Sequence, residues 1–332
     1  MNQKIFSGYY PDYGHVQGIA TDGTYLYYSL TTALLKTDMD GNLIGSVTGL
    51  LGHLGCIAFY DGAVYGSLEY KNDSIGRGIL DRIGSDIVLP DAFYVVRFDI
   101  TKLNRIGMDA EEDGIVTAVR LTDVCEDYSA PGHRWGCSGI DGITGCDYPD
   151  GIPALFIAYG IYSDLSRSDN DHQIILRLPL AEVKNRLAPL TQDFAASPAS
   201  LAAADKYFVY TGNTTYGIQN LEFDPYTNCM YAAVYRGEKP QFPNYAMYVI
   251  DLSKKPLEKD GRKFLSLAEK FEYDAESGIY GLNFPHGSTG IIALGNGKYF
   301  FSEDGYAPQG YYTNVTLYHY DPVQGFVVGS GG

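Results

Sequence analysis

The sequence predicts an all-β chain built by repeating one antiparallel unit, and three observations carry that reading. Five segments share one form: a glycine or small residue, an aliphatic anchor, a short apolar strand, a tight turn and a second strand. Four of the five hold Asp-Gly or Asn-Gly in the turn, the strongest short-range hairpin signal, because such turns need positive φ. A third apolar strand follows each hairpin, in a chain with 30 Tyr and 39 Gly among 332 residues. Four-stranded antiparallel units in series, with Tyr-rich strands and Gly-rich turns, predict a β-propeller. The count is five blades in one domain spanning residues 1–332, with six or seven blades as the alternative.

The first blade begins near residue 15 with His15-Val16-Gln17-Gly18-Ile19, turns at Asp22-Gly23 and returns through Tyr25-Leu26-Tyr27-Tyr28. The second begins near 53 with His53-Leu54-Gly55-Cys56-Ile57, turns at Asp61-Gly62 and returns through Ala63-Val64-Tyr65. The third begins near 139 with Gly139-Ile140-Asp141-Gly142-Ile143 and returns, past Asp150-Gly151, over 154–159. The fourth begins near 217 with Gly217-Ile218-Gln219-Asn220-Leu221 and returns over 230–235. The fifth begins near 287 with Gly287-Ser288-Thr289-Gly290-Ile291, turns at Asn296-Gly297 and returns over 298–301. Third strands close on Asp38, Asp99, Asp251 and Asp321, and the third blade departs with 174–179. Weaker fourth strands follow, as at 43–47 and 114–119, and residues 180–187 read as a helix.

A five-bladed ring is tight at its axis, so the innermost strands should be small there. Two residues before each anchor stand Gln17, Gly55, Asp141, Gln219 and Thr289; one before stand Gly18, Cys56, Gly142, Asn220 and Gly290. In an up-and-down blade the first strand begins beside the end of the second, which gathers distant positions at one mouth of the channel. The strand starts bring His15, Gln17, His53, Asp141, Gln219 and His286. The second-strand ends bring Glu69, Tyr70, Tyr159, Tyr235, Arg236, Glu303 and Asp304.

Three chemistries suit that set. His15, His53 and His286 with a Gln amide fit a divalent metal ion, as imidazole binds borderline cations. Among Glu69, Asp141 and Glu303, two carboxylates would divide acid and base or nucleophile roles in glycoside cleavage. His53 or His286 as base, with Tyr70 or Tyr235 as acid and Arg236 neutralising the substrate, suits proton abstraction beside a uronate carboxylate. Each has a structural counterpart: imidazoles bonded across blade seams, and carboxylates that cap turns. Tyrosine rings offer sugar platforms, though tyrosine also favours strands. His15, Gln17, Tyr70, Tyr159, Gln219, Tyr235 and Arg236 are the expected ligand-binding residues, and His53, Glu69, Asp141, His286 and Glu303 the expected catalytic ones. The expected partner is a small molecule or an oligosaccharide.

A net charge of −16 argues against nucleic acid and anionic membrane surfaces, which both need a basic face. No apolar run is long enough to span a bilayer, and residues 1–6 lack the apolar stretch of a signal peptide. The expectation is a cytoplasmic protein, or a secreted or periplasmic one if a leader has been removed. Of five cysteines, Cys56 and Cys229 sit in apolar strands, while Cys125, Cys137 and Cys146 could yield one disulfide in an oxidising compartment.

Gln17-Gly18-Ile19-Ala20-Thr21-Asp22-Gly23 followed by Leu26-Tyr27-Tyr28-Ser29 resembles the opening blade of propeller-type glutaminyl cyclases. The resemblance implies the propeller but not the activity, since Tyr28 stands where that family places its catalytic Glu. The His/Gln set is similar in kind to the metal site of propeller oligogalacturonate lyases. The five-bladed arabinan and fructan hydrolases want acidic residues on several inner strands, and only Asp141 is acidic at those positions here. The leading expectation is a carbohydrate-active enzyme, a polysaccharide lyase or glycoside hydrolase; the alternative is a non-catalytic ligand-binding or scaffold propeller.

Overall fold

The computed structural model describes residues 13–194 and 199–329, with the backbone of 4–9. Its strands form a five-bladed β-propeller, as the repeat predicts. Blade one is Val16–Thr21, Tyr25–Leu30, Ala33–Asp38 and Leu43–Thr48. Blade two is His53–Tyr60, Ala63–Tyr70, Ala92–Phe98 and Val116–Leu121. Blade three is Cys137–Cys146, Ala154–Ile161, His172–Pro179 and Asp205–Tyr210, widened by Arg262–Leu265 and Leu257–Lys259. The innermost strands meet in turn around the ring, and the first meets the last.

Blades four and five depart from the simple unit. Blade four has three full strands, Thr215–Asp224, Cys229–Tyr235 and Met247–Asp251. Its outer edge is met by the hairpin Glu272–Asp274 and Ile279–Gly281, through reciprocal backbone bonds between Met247 and Leu282. Blade five is Ile291–Gly295, Lys298–Ala307 and Gly310–Asp321. Its outermost position is shared, because Lys4–Tyr9 pairs with one half of the long third strand and Gly325–Val328 with the other. Strands from the two ends of the chain thus complete one sheet, and the ring closes by backbone hydrogen bonds.

Strand alternation explains the core. Each blade buries both faces, so odd and even residues of one strand enter different seams. Tyr27 packs with Leu34, Leu54 and Val64 between blades one and two, while Leu26 and Tyr28 pack with Ile292 and Phe300 between blades five and one. One apolar cluster fills each of the five seams. Much of the tyrosine excess is spent here: Tyr27, Tyr65, Tyr159, Tyr231 and Tyr299 are fully buried. Tyr27 and Tyr299 anchor their hydroxyls on Asp22 at 2.8 Å and Asp224 at 2.5 Å.

The helix expected near 180–187 is present as Leu180–Arg186. Two helices lie in insertions where none was expected, Ser74–Arg82 and Thr122–Ser129. Asp73 starts the first by accepting the amides of Ile75 and Gly76. All five cysteines are unpaired. Cys137 and Cys146 begin and end one ten-residue strand, roughly 30 Å apart at about 3.3 Å per residue, so they cannot pair with each other.

Candidate functional site

The innermost strands of blades one to four are bulged near their starts, with register shifts between Val16 and Gly18, Leu54 and Ile57, Ile140 and Ile143, and Ile218 and Asn220. A bulge re-aims the side chains beside it. Asn220, on the innermost strand of blade four, bridges to three other blades. Its Nδ2 donates to Gln17 O and Ser288 O at 2.8 Å each, and its Oδ1 accepts from Cys56 Sγ at 3.2 Å. The innermost strands line two separate recesses. One, of about 210 Å³, collects the strand starts; the other, of about 220 Å³, collects strand ends around Thr21, Thr144 and Glu222.

The first recess brings together His15, Gln17, His53, Glu69, Asp141, Gln219 and Tyr235. Other residues expected there lie elsewhere. Tyr70 is buried behind the wall and donates to Gln192 Oε1 at 2.9 Å; Tyr159 donates to Asp127 Oδ2 at 2.9 Å. Exposed Arg236 donates its Nε to Asn244 O at 2.6 Å, and Glu303 accepts from the Tyr318 hydroxyl at 2.9 Å. His286 packs its ring on Phe284 at 5.5 Å and Tyr318 at 6.0 Å. The cause is local: Gly287 at φ +113° and Gly290 at φ +147° hold 287–290 out of the strand, which starts only at Ile291. His286 thus does not join His15 and His53, and among the described residues no three His, Cys, Asp or Glu side chains are grouped to hold a metal ion.

Glu69 is the best-anchored group in the recess. It lies directly opposite His53 in the hairpin, with Oε1 at 3.6 Å from His53 Nδ1, too long for a hydrogen bond. Lys71, two residues on and on the same strand face, pairs with Oε1 at 2.6 Å and donates to Ser138 O at 3.1 Å. The Ile140 amide donates to Oε2 at 3.0 Å. Burial pushes the Glu69 carboxyl up, but the Lys71 ammonium and the His53 ring outweigh it and hold it at about 2.

Asp141 behaves in the opposite way. Its Oδ1 accepts the Cys56 amide at 3.0 Å, and burial pushes its carboxyl up to about 7, with His53 pulling down and Glu69 pushing up. Burial lowers His15, whose Nε2 lies 3.2 Å from the Gln17 amide nitrogen. Burial and then Asp141 raise the Tyr235 hydroxyl well above its usual range. Lys71, Ile75, Ser138 and Tyr216 also line the recess and were not anticipated. The signal for Lys71 was the period-two spacing Glu69-Tyr70-Lys71; Ile75 belongs to an insertion helix, which repeat grammar does not reach.

No family model matches the chain, and no curated protein matches it. Among solved structures it is similar to the endo-arabinanase of Bacillus licheniformis at 12% identity, covering 97% of this chain and 100% of that one, with a TM-score of 0.44. It is similar to the glutaminyl cyclase of Myxococcus xanthus at 11% identity, covering 98% and 97%, with a TM-score of 0.40. The PQQ-bound aldose sugar dehydrogenase of Streptomyces coelicolor follows at 13% identity, covering 94% and 98%, with a TM-score of 0.37. Likenesses at this level carry no functional assignment, and the propeller is read from the sheet pairing itself.

Proposed function

We propose that the chain is a carbohydrate-active enzyme that cleaves a glycosidic bond at this recess by general acid–base catalysis. The observation that carries the reading is one cavity that gathers the buried Asp141 carboxyl, which burial holds protonated up to about 7, with the His53 imidazole. A carboxyl that keeps its proton beside an imidazole gives one site an acid and a base together. Asp141 is the proton donor to the leaving glycosidic oxygen. His53, with Nδ1 turned to Glu69, offers its other ring nitrogen as the base that takes a proton from the attacking water. Glu69 lies beside that imidazole and is itself fixed by Lys71 and the Ile140 amide. The water oxygen bonds to the anomeric carbon as the C–O bond breaks, and the two protons end on the leaving oxygen and on His53.

The test is a panel of defined oligosaccharides assayed for new reducing ends, with the ultraviolet absorbance of unsaturated products followed in parallel. Reducing ends without that absorbance, lost in Asp141→Asn and His53→Ala, support hydrolysis. Unsaturated products would reassign His53 to abstraction of a carbon-bound proton. Binding with no cleavage of any glycan would favour a non-catalytic binding propeller.

A further inference from the structure

At the rim of the recess, the helix Ser74–Arg82 ends in an exposed arginine. Arg105, Arg134, Arg167, Arg177 and Arg186 each hold a carboxylate, Arg77, Arg120 and Arg236 donate to other groups and Arg262 lies over the Trp135 ring, whereas Arg82 has neither an ion pair nor a hydrogen-bond acceptor among the described residues. Its guanidinium stands beside Gly14, and its charge reaches His15 in the recess wall. Tyr306 and Tyr311 flank it with rings 5.1 Å apart at 70°, and Tyr306 is 73% exposed. These residues line a further recess of about 460 Å³. The Tyr311 ring lies 5.8 Å from that of His15, so the two recesses adjoin there.

On a chain of net charge −16, an arginine that pairs with no carboxylate among the described residues, at the edge of the candidate site, is a place where an anion finds a partner. The nearby Asp304 also acts on His15, but its Oδ1 accepts from the Thr289 hydroxyl at 3.3 Å. A planar guanidinium matches a carboxylate through two parallel N–H donors, and tyrosine faces suit the apolar side of a sugar ring. We propose that this shelf is a subsite for a carboxylate-bearing sugar residue, its ring on Tyr306 and Tyr311 and its carboxylate on Arg82. The inference rests on the glycan-cleaving reading and names its substrate class as an acidic glycan.

The experiment is calorimetric titration of full-length Asp141→Asn protein with a galacturonate trimer and with the same trimer methyl-esterified. The acid should bind roughly ten- to a hundredfold tighter than the ester, the range of a charged hydrogen-bonded pair. Arg82→Gln should remove that preference while leaving ester binding unchanged, Arg82→Lys should restore part of it, and Tyr306→Ala should weaken both ligands alike. A sulfated neutral trimer that binds as tightly as the acid would overturn the carboxylate assignment. Equal binding of acid and ester, or a preference that survives in Arg82→Gln, would overturn the subsite. Cleavage of neutral glycans by the wild-type chain in that case keeps the glycan reading standing, and absence of binding to every glycan removes both. A thermal unfolding scan of each variant separates lost recognition from lost fold.

Discussion

Asp141 reaches across a blade seam to stand over Gly55: its Oδ1 accepts the Cys56 amide at 3.0 Å and fills the space that a side chain on Gly55 would need. Gly55 is required by this close approach. Gly55→Ala would collide with Asp141 and with the Ser67 hydroxyl, so it is expected to cost about 1–3 kcal/mol by overpacking. Because the carboxylate must move, turnover should fall by more than the loss of folded protein explains. Urea denaturation alongside kcat checks both. A variant with wild-type activity per folded molecule would show that the position of Asp141 does not matter.

Asp141 gives stability a pH dependence whose sign follows from burial. Between about 3.8 and 7 the native carboxyl keeps a proton that the unfolded chain has released. Its contribution is therefore full below 3.8, falls as pH rises through that window and is flat above about 7. Asp141→Asn should flatten this part of the curve and be relatively most favourable at pH 8, read from urea midpoints across pH. If Asp141 is the acid, kcat/KM of the wild type should fall on an alkaline limb with a midpoint near 7.

Glu69 and Lys71 should be far costlier to break than to remove. Both are buried, and they meet at 2.6 Å. Glu69→Gln leaves an ammonium without its partner and is expected to destabilise by about 3–5 kcal/mol, as is Lys71→Met. The double variant should recover much of that loss, measured as a coupling energy in a double-mutant cycle. The Glu69 contribution should also disappear in acid, as pH falls from 4.5 through about 2. Additive losses would mean that the two groups are stabilised separately.

The cysteines offer a simpler check. Cys56, Cys137, Cys146 and Cys229 are buried and Cys125 is partly exposed, its Sγ accepting from Arg120 Nε at 3.3 Å. In the native protein a thiol reagent should modify Cys125 first, and Cys125→Ser should abolish that fast phase. Under denaturing conditions all five should react; fewer would reveal a covalent pair.

Blade order was legible because its signals are local: Asp22-Gly23, Asp61-Gly62 and Asn296-Gly297 set hairpins through turn chemistry, and all three glycines take positive φ. What lay beyond reach depends on distant pairing. The outer edge of blade four comes from a hairpin at 272–281, and that of blade five from both ends of the chain, neither of which spacing can show. At the site, Asp141 and His53 were found by their place in the repeat. The same rule sent His286 to the mouth, because Gly287-Ser288-Thr289-Gly290-Ile291 imitates a strand start while its glycines bend the chain away. Lys71 stands one residue past the strand that ends at Tyr70, where the repeat no longer marks positions, although the spacing of two carries it to the side of Glu69.

The Asn220 side chain is a joint between the innermost strands. Asn220 makes its three bonds to Gln17, Cys56 and the segment leading into blade five, so one amide ties blade four to three others. Removing it strands the buried Gln17 carbonyl, at a cost of about 1–3 kcal/mol, and loses the bond to the partly buried Ser288 carbonyl. Asn220→Ala is therefore expected to lower stability by about 1–3 kcal/mol, read from guanidinium denaturation. Asn220→Leu should do no better, since its methyl groups fill the volume without offering donors. If Asn220→Ala unfolds at the wild-type midpoint, the Asn220 amide contributes nothing and the five apolar seams with the strand pairing of blade five hold the ring.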